Sequence, residues 1–458
     1  MINVMRLSKL ARRISRARLA GNISATLYNQ IVQLGVQLAS VPILTAEWGL
    51  TAYGIWLILF TAPAYLAIAD LGFATAAGND MTMRAARGDR SGAAETFLAL
   101  QMIVVGMALV VIVVALVCLF LLFPYDLAFA DQVIGGDGRV TLLIMIGYGV
   151  VALFSSVVGA GFRATDDFVV GTYSIVTISL VEAVTALVFA SVGWGLFGAA
   201  IAYFAVRMLG TCMVGGILWR RSGWIYTRDW RGALVHLRSL LGPAIGALPM
   251  PAALALTLQG AVLVIGSAAG AAAVPVFTTV RILTRMALQF TFVVNIAIMP
   301  AYSMAAATDD RPRRNQLVLI CLLTSLVALP LAAVGILAVG PFILKLWTHG
   351  RIDPPMFLLS WMTLAMVLNG IWMPLANLIL AINLHQRFTY YFLAVSTAVL
   401  TISYPLSHHF GASGMAVALA LIDALMLARI LWLARFLGML NPAELRLALH
   451  DGRRTFGV

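Results

Sequence analysis

PVFTTVRILTRMALQFTFVVNIAIMP, residues 275–300, decides how this chain is read. The run is apolar and long enough to cross a bilayer as one helix. Arg281 and Arg285 nevertheless lie four residues apart near its middle. At that spacing they share a helical face and repel each other. No acid stands at helical spacing from either of them. A guanidinium in hydrocarbon is costly, so such a pair persists where it faces water or meets an anion. The pattern points to a transporter with a cationic cavity.

The rest of the chain fits a membrane setting. Of its 458 residues, 62% are hydrophobic and 10% charged, with a mean hydropathy of +0.98. A soluble domain carries about 25% charged residues. Apolar stretches of about 20 residues recur along the whole length. About twelve spans are expected, near 23–46, 51–78, 94–122, 140–162, 170–192, 196–218, 241–266, 273–303, 315–340, 356–382, 390–406 and 412–437. The predicted fold class is an all-α polytopic membrane protein, with short connections and no soluble domain.

Charge sets the expected orientation. With a cytoplasmic N-terminus, 23 of the 30 Lys and Arg residues fall on the cytoplasmic side. Only Arg139, Lys345 and Arg351 fall on the other. That asymmetry satisfies the positive-inside rule and accounts for the net charge of +12. The basic clusters thus mark topology and contact with anionic lipid, not nucleic acid. Residues 1–22 read as a basic amphipathic cytoplasmic segment rather than a signal peptide. The apolar run after them is long, holds Gln30, Gln33 and Gln37, and lacks a small-residue cleavage site. Cys118, Cys212 and Cys321 all fall within spans, so no disulfide framework is expected.

The chain reads as two parallel six-helix halves around a central cavity. Gly49 in WGLTAYGIW matches Gly270 in AGAAAVPVF at an offset of 221, and the same offset carries Asp89-Arg90 onto Asp310-Arg311. An offset of 216 carries WGLFGAAIA (194–202) onto FGASGMAVA (410–418). Parallel repeats are a recurring plan in secondary transporters, with substrate bound near the midplane. The expected organisation is an N-lobe at 23–218, a cytoplasmic amphipathic linker at 219–240, a C-lobe at 241–437 and a cytoplasmic tail at 438–458.

Polar residues inside the spans supply the candidate site. Asn22, Thr26, Asn29, Gln33, Gln37 and Ser40 form one stripe along span 1. Thr278, Arg281, Arg285 and Gln289 form another in span 8, and Asn369 and Asn377 lie on roughly one face of span 10. Such stripes pack against other helices or line a wet cavity. Arg207 sits halfway along span 6, Asp423 halfway along span 12, Glu182 near the middle of span 5 and Asp70 in the cytoplasmic third of span 2. Glu182 and Arg207 lie at similar depth on adjacent spans, which allows a static buried pair. Asp70 can cap a broken helix at Gly72. Asp423 can close the pathway by pairing with an Arg or take up a proton, since burial raises a carboxyl pKa. Too few acids remain to neutralise both Arg281 and Arg285, so an anionic ligand is favoured. Guanidinium groups suit phosphate through their forked donors. A carboxylate-bearing sugar fits them too.

The stretch GLTAYGIWLILFTAPAYLAIADLGFATAAGNDMTMRAARGD (49–89) resembles the opening of Wzx-type polysaccharide flippases, with a G-x-x-x-Y-G-x-W pattern and a later D-L-G before an arginine-bearing loop. WGLFGAAIA resembles the span 6 signature of the same group, which lies within the multidrug/oligosaccharidyl-lipid/polysaccharide (MOP) exporter superfamily. The resemblance implies a flippase of the bacterial inner membrane, with both termini cytoplasmic. It would move an undecaprenyl-diphosphate-linked oligosaccharide to the periplasmic leaflet by alternating access, for cell-surface polysaccharide synthesis. It also implies roles for the residues above. Arg281, Arg285 and Arg207 would contact the anionic head group. Asn29, Gln33, Gln37, Gln289, Asn369 and Asn377 would bond sugar hydroxyls. Asp423, Glu182 or Asp70 would couple an ion or gate the pathway. A polysaccharide polymerase or assembly protein is an expected partner.

Two other readings stay open. A cation-coupled multidrug antiporter of the same superfamily would want an acidic cavity, against which the span 8 arginines argue. A membrane-embedded polymerase or lipid-sugar transferase would need a catalytic constellation. The longest loops carry Asp126, Asp131, Asp137, His349 and Asp353, scattered and without metal-ligand spacing. No catalytic residue, metal or cofactor is assigned, and no nucleotide-binding motif is present.

Overall fold

A computed structural model describes residues 2–117, 138–165, 167–382, 384–441 and 444. All regular structure among them is helical. The elements are α1 (Ile2–Glu47), α2 (Gly49–Leu59), α3 (Thr61–Ala86), α4 (Arg90–Val117), α5 (Gly138–Ala164), α6 (Phe168–Ser191) and α7 (Gly195–Ser222). A short 3₁₀ turn (Gly223–Ile225) leads to α8 (Trp230–Ala247) and α9 (Pro249–Ala255). A π turn (Leu256–Gly260) joins α9 to α10 (Ala261–Ala268). Then follow α11 (Ala273–Ala307), α12 (Arg311–Trp347), α13 (Met356–Ala381), α14 (Gln386–Phe410) and α15 (Ala412–Phe436).

Ten helices among the described residues are long and apolar enough to cross a membrane, against the twelve spans expected. The other two expected spans are also helical: 23–46 lies in α1 and 390–406 in α14. Both are too polar to qualify by composition. α1 carries Asn22, Asn29, Gln30, Gln33 and Gln37, and α14 carries Gln386, Arg387 and five Ser or Thr beyond position 395. The expected tail from 445 onward, Cys118, and Asp126, Asp131 and Asp137 lie outside the described residues.

The chain divides into two compact units, Met1–Ala52 with Leu59–Pro251, and Tyr53–Ile58 with Ala252–Val458. In the first unit, α5 packs against α3, α4, α6 and α7, and α1 lies along α6. Its core is built by Met81, Phe97, Leu100, Leu153, Phe162 and Leu218, all buried. The linker helix α8 rests on α3 and α4, with Ala233 and Leu240 buried while Trp230 and Val235 stay exposed. His236 and Glu95 meet there at 3.1 Å. In the second unit, α13 packs against α11, α12 and α15, and α14 lies on α15 and α10. Trp372, Phe277, Leu329 and Met426 are fully buried in it.

The sequence offset of 221 has a physical counterpart in the turns. Gly88 and Asp309 are left-handed, at φ +83° and +50°. Each is followed by an aspartate that starts the next helix. Asp89 accepts from the Gly92 amide at 2.9 Å, and Asp310 accepts from the Arg313 amide at 3.1 Å. Such side chains satisfy amides that the first turn leaves without partners. One capped turn is therefore built twice, once in each unit.

Candidate functional site

The span 8 arginines lie on α11 in the second unit, and the helix ahead of them explains their different surroundings. The π turn at Leu256–Gly260 breaks the regular hydrogen-bond ladder, a feature frequent at functional sites. Arg281 Nη1 donates to the Leu258 carbonyl there at 2.8 Å. The same guanidinium lies 5.2 Å over the Phe277 ring, one turn earlier on α11. Arg285, one turn later, makes no hydrogen bond or ion pair with a described residue.

Asp423 lies halfway along α15 and is held from α13. Asn369 Nδ2 and Trp372 Nε1 each donate to Asp423 Oδ1 at 2.8 Å. The i, i+3 spacing of Asn369 and Trp372 places both donors on one face of α13. These groups share a cavity of about 130 Å³, lined by Arg281, Arg285, Asn369, Asp423 and Thr257 among apolar side chains such as Met362 and Phe392. Two guanidinium groups face one carboxylate, and no ion pair joins them. The cavity therefore carries an excess positive charge and suits an anion. At about 30 Å³ per water molecule, the space takes roughly four waters or one phosphate-sized group.

The other sequence-derived candidates scatter. Gln289 is exposed on α11 and does not line the cavity. Asn377 is engaged elsewhere: its Nδ2 donates to Asn295 Oδ1 at 2.7 Å. Asn295 in turn donates to the Pro374 carbonyl at 3.2 Å. Asn369 and Asn377 thus serve different neighbours despite their shared face.

In the first unit, Asn29 and Gln33 bond each other at 3.2 Å along α1, while Gln33 and Gln37 remain exposed. Glu182 on α6 and Arg207 on α7 meet as a buried ion pair. Tyr148 of α5 donates to Glu182 at 3.1 Å and accepts from Arg207 at 3.1 Å, and Ser179 also accepts from Arg207. Glu182 Oε2 and Arg207 Nε are left without a partner. Asp70 lies on α3, and its side chain falls outside the described residues. Trp372, Asn295 and the π turn were not singled out from sequence. Trp372 carried a signal, an indole three residues after Asn369 in an apolar run.

No protein-family model matches the chain, and no curated protein matches it in sequence. Solved structures do match in fold. An inward-facing multidrug resistance MATE family transporter of the MOP superfamily aligns at a TM-score of 0.69 and 14% identity, covering 92% of this chain and 98% of that one. The lipid II flippase MurJ, in an inward closed conformation, aligns at 0.65 and 12% identity, covering 90% of this chain and 87% of that one. A MOP superfamily transporter from Pyrococcus furiosus, described by a reversed polarity of its binding pocket, aligns at 0.55 and 16% identity, over 93% and 96%. The chain is an all-α, multi-pass membrane protein with the fold of the MOP superfamily transporters.

Proposed function

We propose that the protein flips an undecaprenyl-diphosphate-linked oligosaccharide from the cytoplasmic to the periplasmic leaflet of the bacterial inner membrane, for cell-surface polysaccharide synthesis. The observation that carries this reading is the pair Arg281 and Arg285, which line one cavity with no ion-paired acid among the described residues. The cavity has room for a phosphate group beside two guanidinium groups, so the arginines read the head group. The polar stripe at Asn29, Gln33 and Gln37 is the reading's sugar-contacting surface. The motifs at 49–89 and 194–202 resemble those of polysaccharide flippases and point to a family rather than to one substrate.

A second reading, a cation-coupled antiporter, has one observation in its favour. Asp423 is an acid in the same cavity, anchored through only one of its oxygens. The excess of positive charge around it weighs the other way. Deletion of the gene followed by complementation separates the two. Under the flippase reading the deletion removes surface polymer. Arg281→Ala/Arg285→Ala then leaves the lipid-linked precursor on the cytoplasmic face. Normal polymer in the deletion strain, with altered resistance to toxic cations, sinks the flippase reading.

A further inference from the structure

A second cluster of arginines lies away from the cavity, where the start of α14 meets the last turns of α15. Arg429 is clamped there. Its guanidinium lies 5.6 Å from the Tyr391 ring and 4.7 Å from the Trp432 ring. Its Nη2 donates to the Arg387 carbonyl at 3.0 Å, and its Nε is buried without a hydrogen bond. Arg387 lies 5.8 Å over the Phe436 ring. Trp432 and Phe436 stack at 5.7 Å with only 12° between their planes, and both are more than half exposed. Neither arginine forms an ion pair with a described residue.

We infer that this cluster binds the phosphodiester head group of an anionic phospholipid. Aromatic rings attract a guanidinium through their quadrupole but leave its charge in place. Two cations therefore remain uncompensated by the described residues at one end of the α14–α15 pair. Basic pockets at such helix ends attract anionic head groups. The forked donors of Arg387 and Arg429 match phosphate oxygens. The exposed Trp432–Phe436 stack supplies an apolar wall for the glycerol and the first acyl carbons, as aromatic residues do at the membrane interface. Arg429 is fixed by two rings and a carbonyl, so little side-chain freedom is lost on binding. The site is independent of what the protein transports.

The test uses the purified full chain in detergent, melted with phosphatidylglycerol, phosphatidylcholine or inorganic phosphate. Phosphatidylglycerol is expected to raise the melting temperature. Arg387→Gln/Arg429→Gln is expected to weaken that response about tenfold in apparent affinity, since each basic residue near a lipid surface contributes to binding. Arg281→Ala/Arg285→Ala keeps the response, which separates this site from the cavity. An undiminished response in the Gln variant overturns the inference. So does an equal response to phosphatidylcholine, or one reproduced by inorganic phosphate, which would mark a free-anion site. Should the Gln variant fail to fold, Trp432→Ala removes only the exposed wall. It is expected to weaken the phosphatidylglycerol response several-fold, and an unchanged response there overturns the inference too.

Discussion

Trp372 and Asp423 are joined by a hydrogen bond of 2.8 Å from the indole to Oδ1, the oxygen that also accepts from Asn369. The other carboxylate oxygen takes no hydrogen bond from a described residue. One oxygen holds the side chain in place and the other stays available to the cavity. Trp372→Phe removes one bond to a charged acceptor, a loss of about 1.5–3 kcal/mol. Asp423→Asn keeps an oxygen able to accept from both donors and should melt closer to wild type. Thermal melts of the two variants rank them. If Asp423→Asn melts lower than Trp372→Phe, the carboxylate charge matters to the fold more than its anchoring bonds. Where Asp423 takes up the coupling proton, Asp423→Asn also flattens the pH profile of transport, and an unaltered profile removes that role.

Glu182 and Arg207 call for a different expectation, because their pair is buried on all sides. Removing one partner of such a pair leaves an uncompensated charge and costs about 3–5 kcal/mol. Glu182→Ala and Arg207→Ala should each lower folded yield sharply. Glu182→Gln/Arg207→Met removes both charges while keeping volume, and should recover much of that loss. Transport per folded molecule then decides the role. Wild-type transport in the double variant marks a structural pair. Lost transport despite recovered folding assigns the pair a part in the transport cycle.

Local signals were legible in the sequence, and the meeting of helices was not. Charges inside apolar runs stand out without any knowledge of neighbours, which is why Arg281, Arg285, Glu182, Arg207 and Asp423 were all found. The capped turns were legible as a recurrence of Asp-Arg at an offset of 221. The partition of the two span 10 asparagines was hidden. Their spacing puts them near one face, but Asn369 meets Asp423 and Asn377 meets Asn295. That difference depends on which helix lies opposite at each level. The π turn was hidden for a related reason. Gly260 is the only poor helix former in LTLQG, and a lone Gly in an apolar run does not announce a π turn.

The repeated turn carries a backbone prediction. Asp309 occupies the left-handed region at φ +50°, where its counterpart is Gly88. A non-glycine residue there costs about 1–2 kcal/mol. Asp309→Gly should therefore be neutral or mildly stabilising, because the ion contacts of Asp309 are long, at 3.8 Å to Arg311 and Arg314. Gly88→Ala should destabilise. Melting temperatures of the two variants should move in opposite directions, and a shared direction would contradict the equivalence of the two turns.

Asp89 adds a pH dependence to the first of these turns. The Gly92 amide, then Ser91 and Arg84, hold its carboxyl below the usual carboxylate range. A depressed folded pKa means that the unfolded chain binds the proton more readily. The stabilisation is thus present above the unfolded pKa and is lost as pH falls through the folded one. Asp89→Asn should melt lower than wild type at neutral pH, and the gap should close in acid. A gap that persists unchanged into acid would assign the effect to shape rather than charge.

Arg281 and Arg285 look equivalent in sequence, yet their partners make opposite predictions for stability. Arg281 satisfies the Leu258 carbonyl of the π turn at 2.8 Å. Arg281→Ala removes that charged donor's hydrogen bond, at a cost of about 1.5–3 kcal/mol. Arg285 has no hydrogen-bond or ion-pair partner among the described residues, so Arg285→Ala removes a like charge one turn away and should hold or raise the melting temperature. Transport should fall in both if the pair reads a phosphate. Arg285→Lys is the sharper variant, because it keeps the charge and loses the planar fork. Bidentate recognition predicts a loss of about tenfold in transport for Arg285→Lys, equivalent to roughly 1.4 kcal/mol. Retained transport in Arg285→Lys would reduce Arg285 to a point charge, and an anion held without a fork need not be a phosphate.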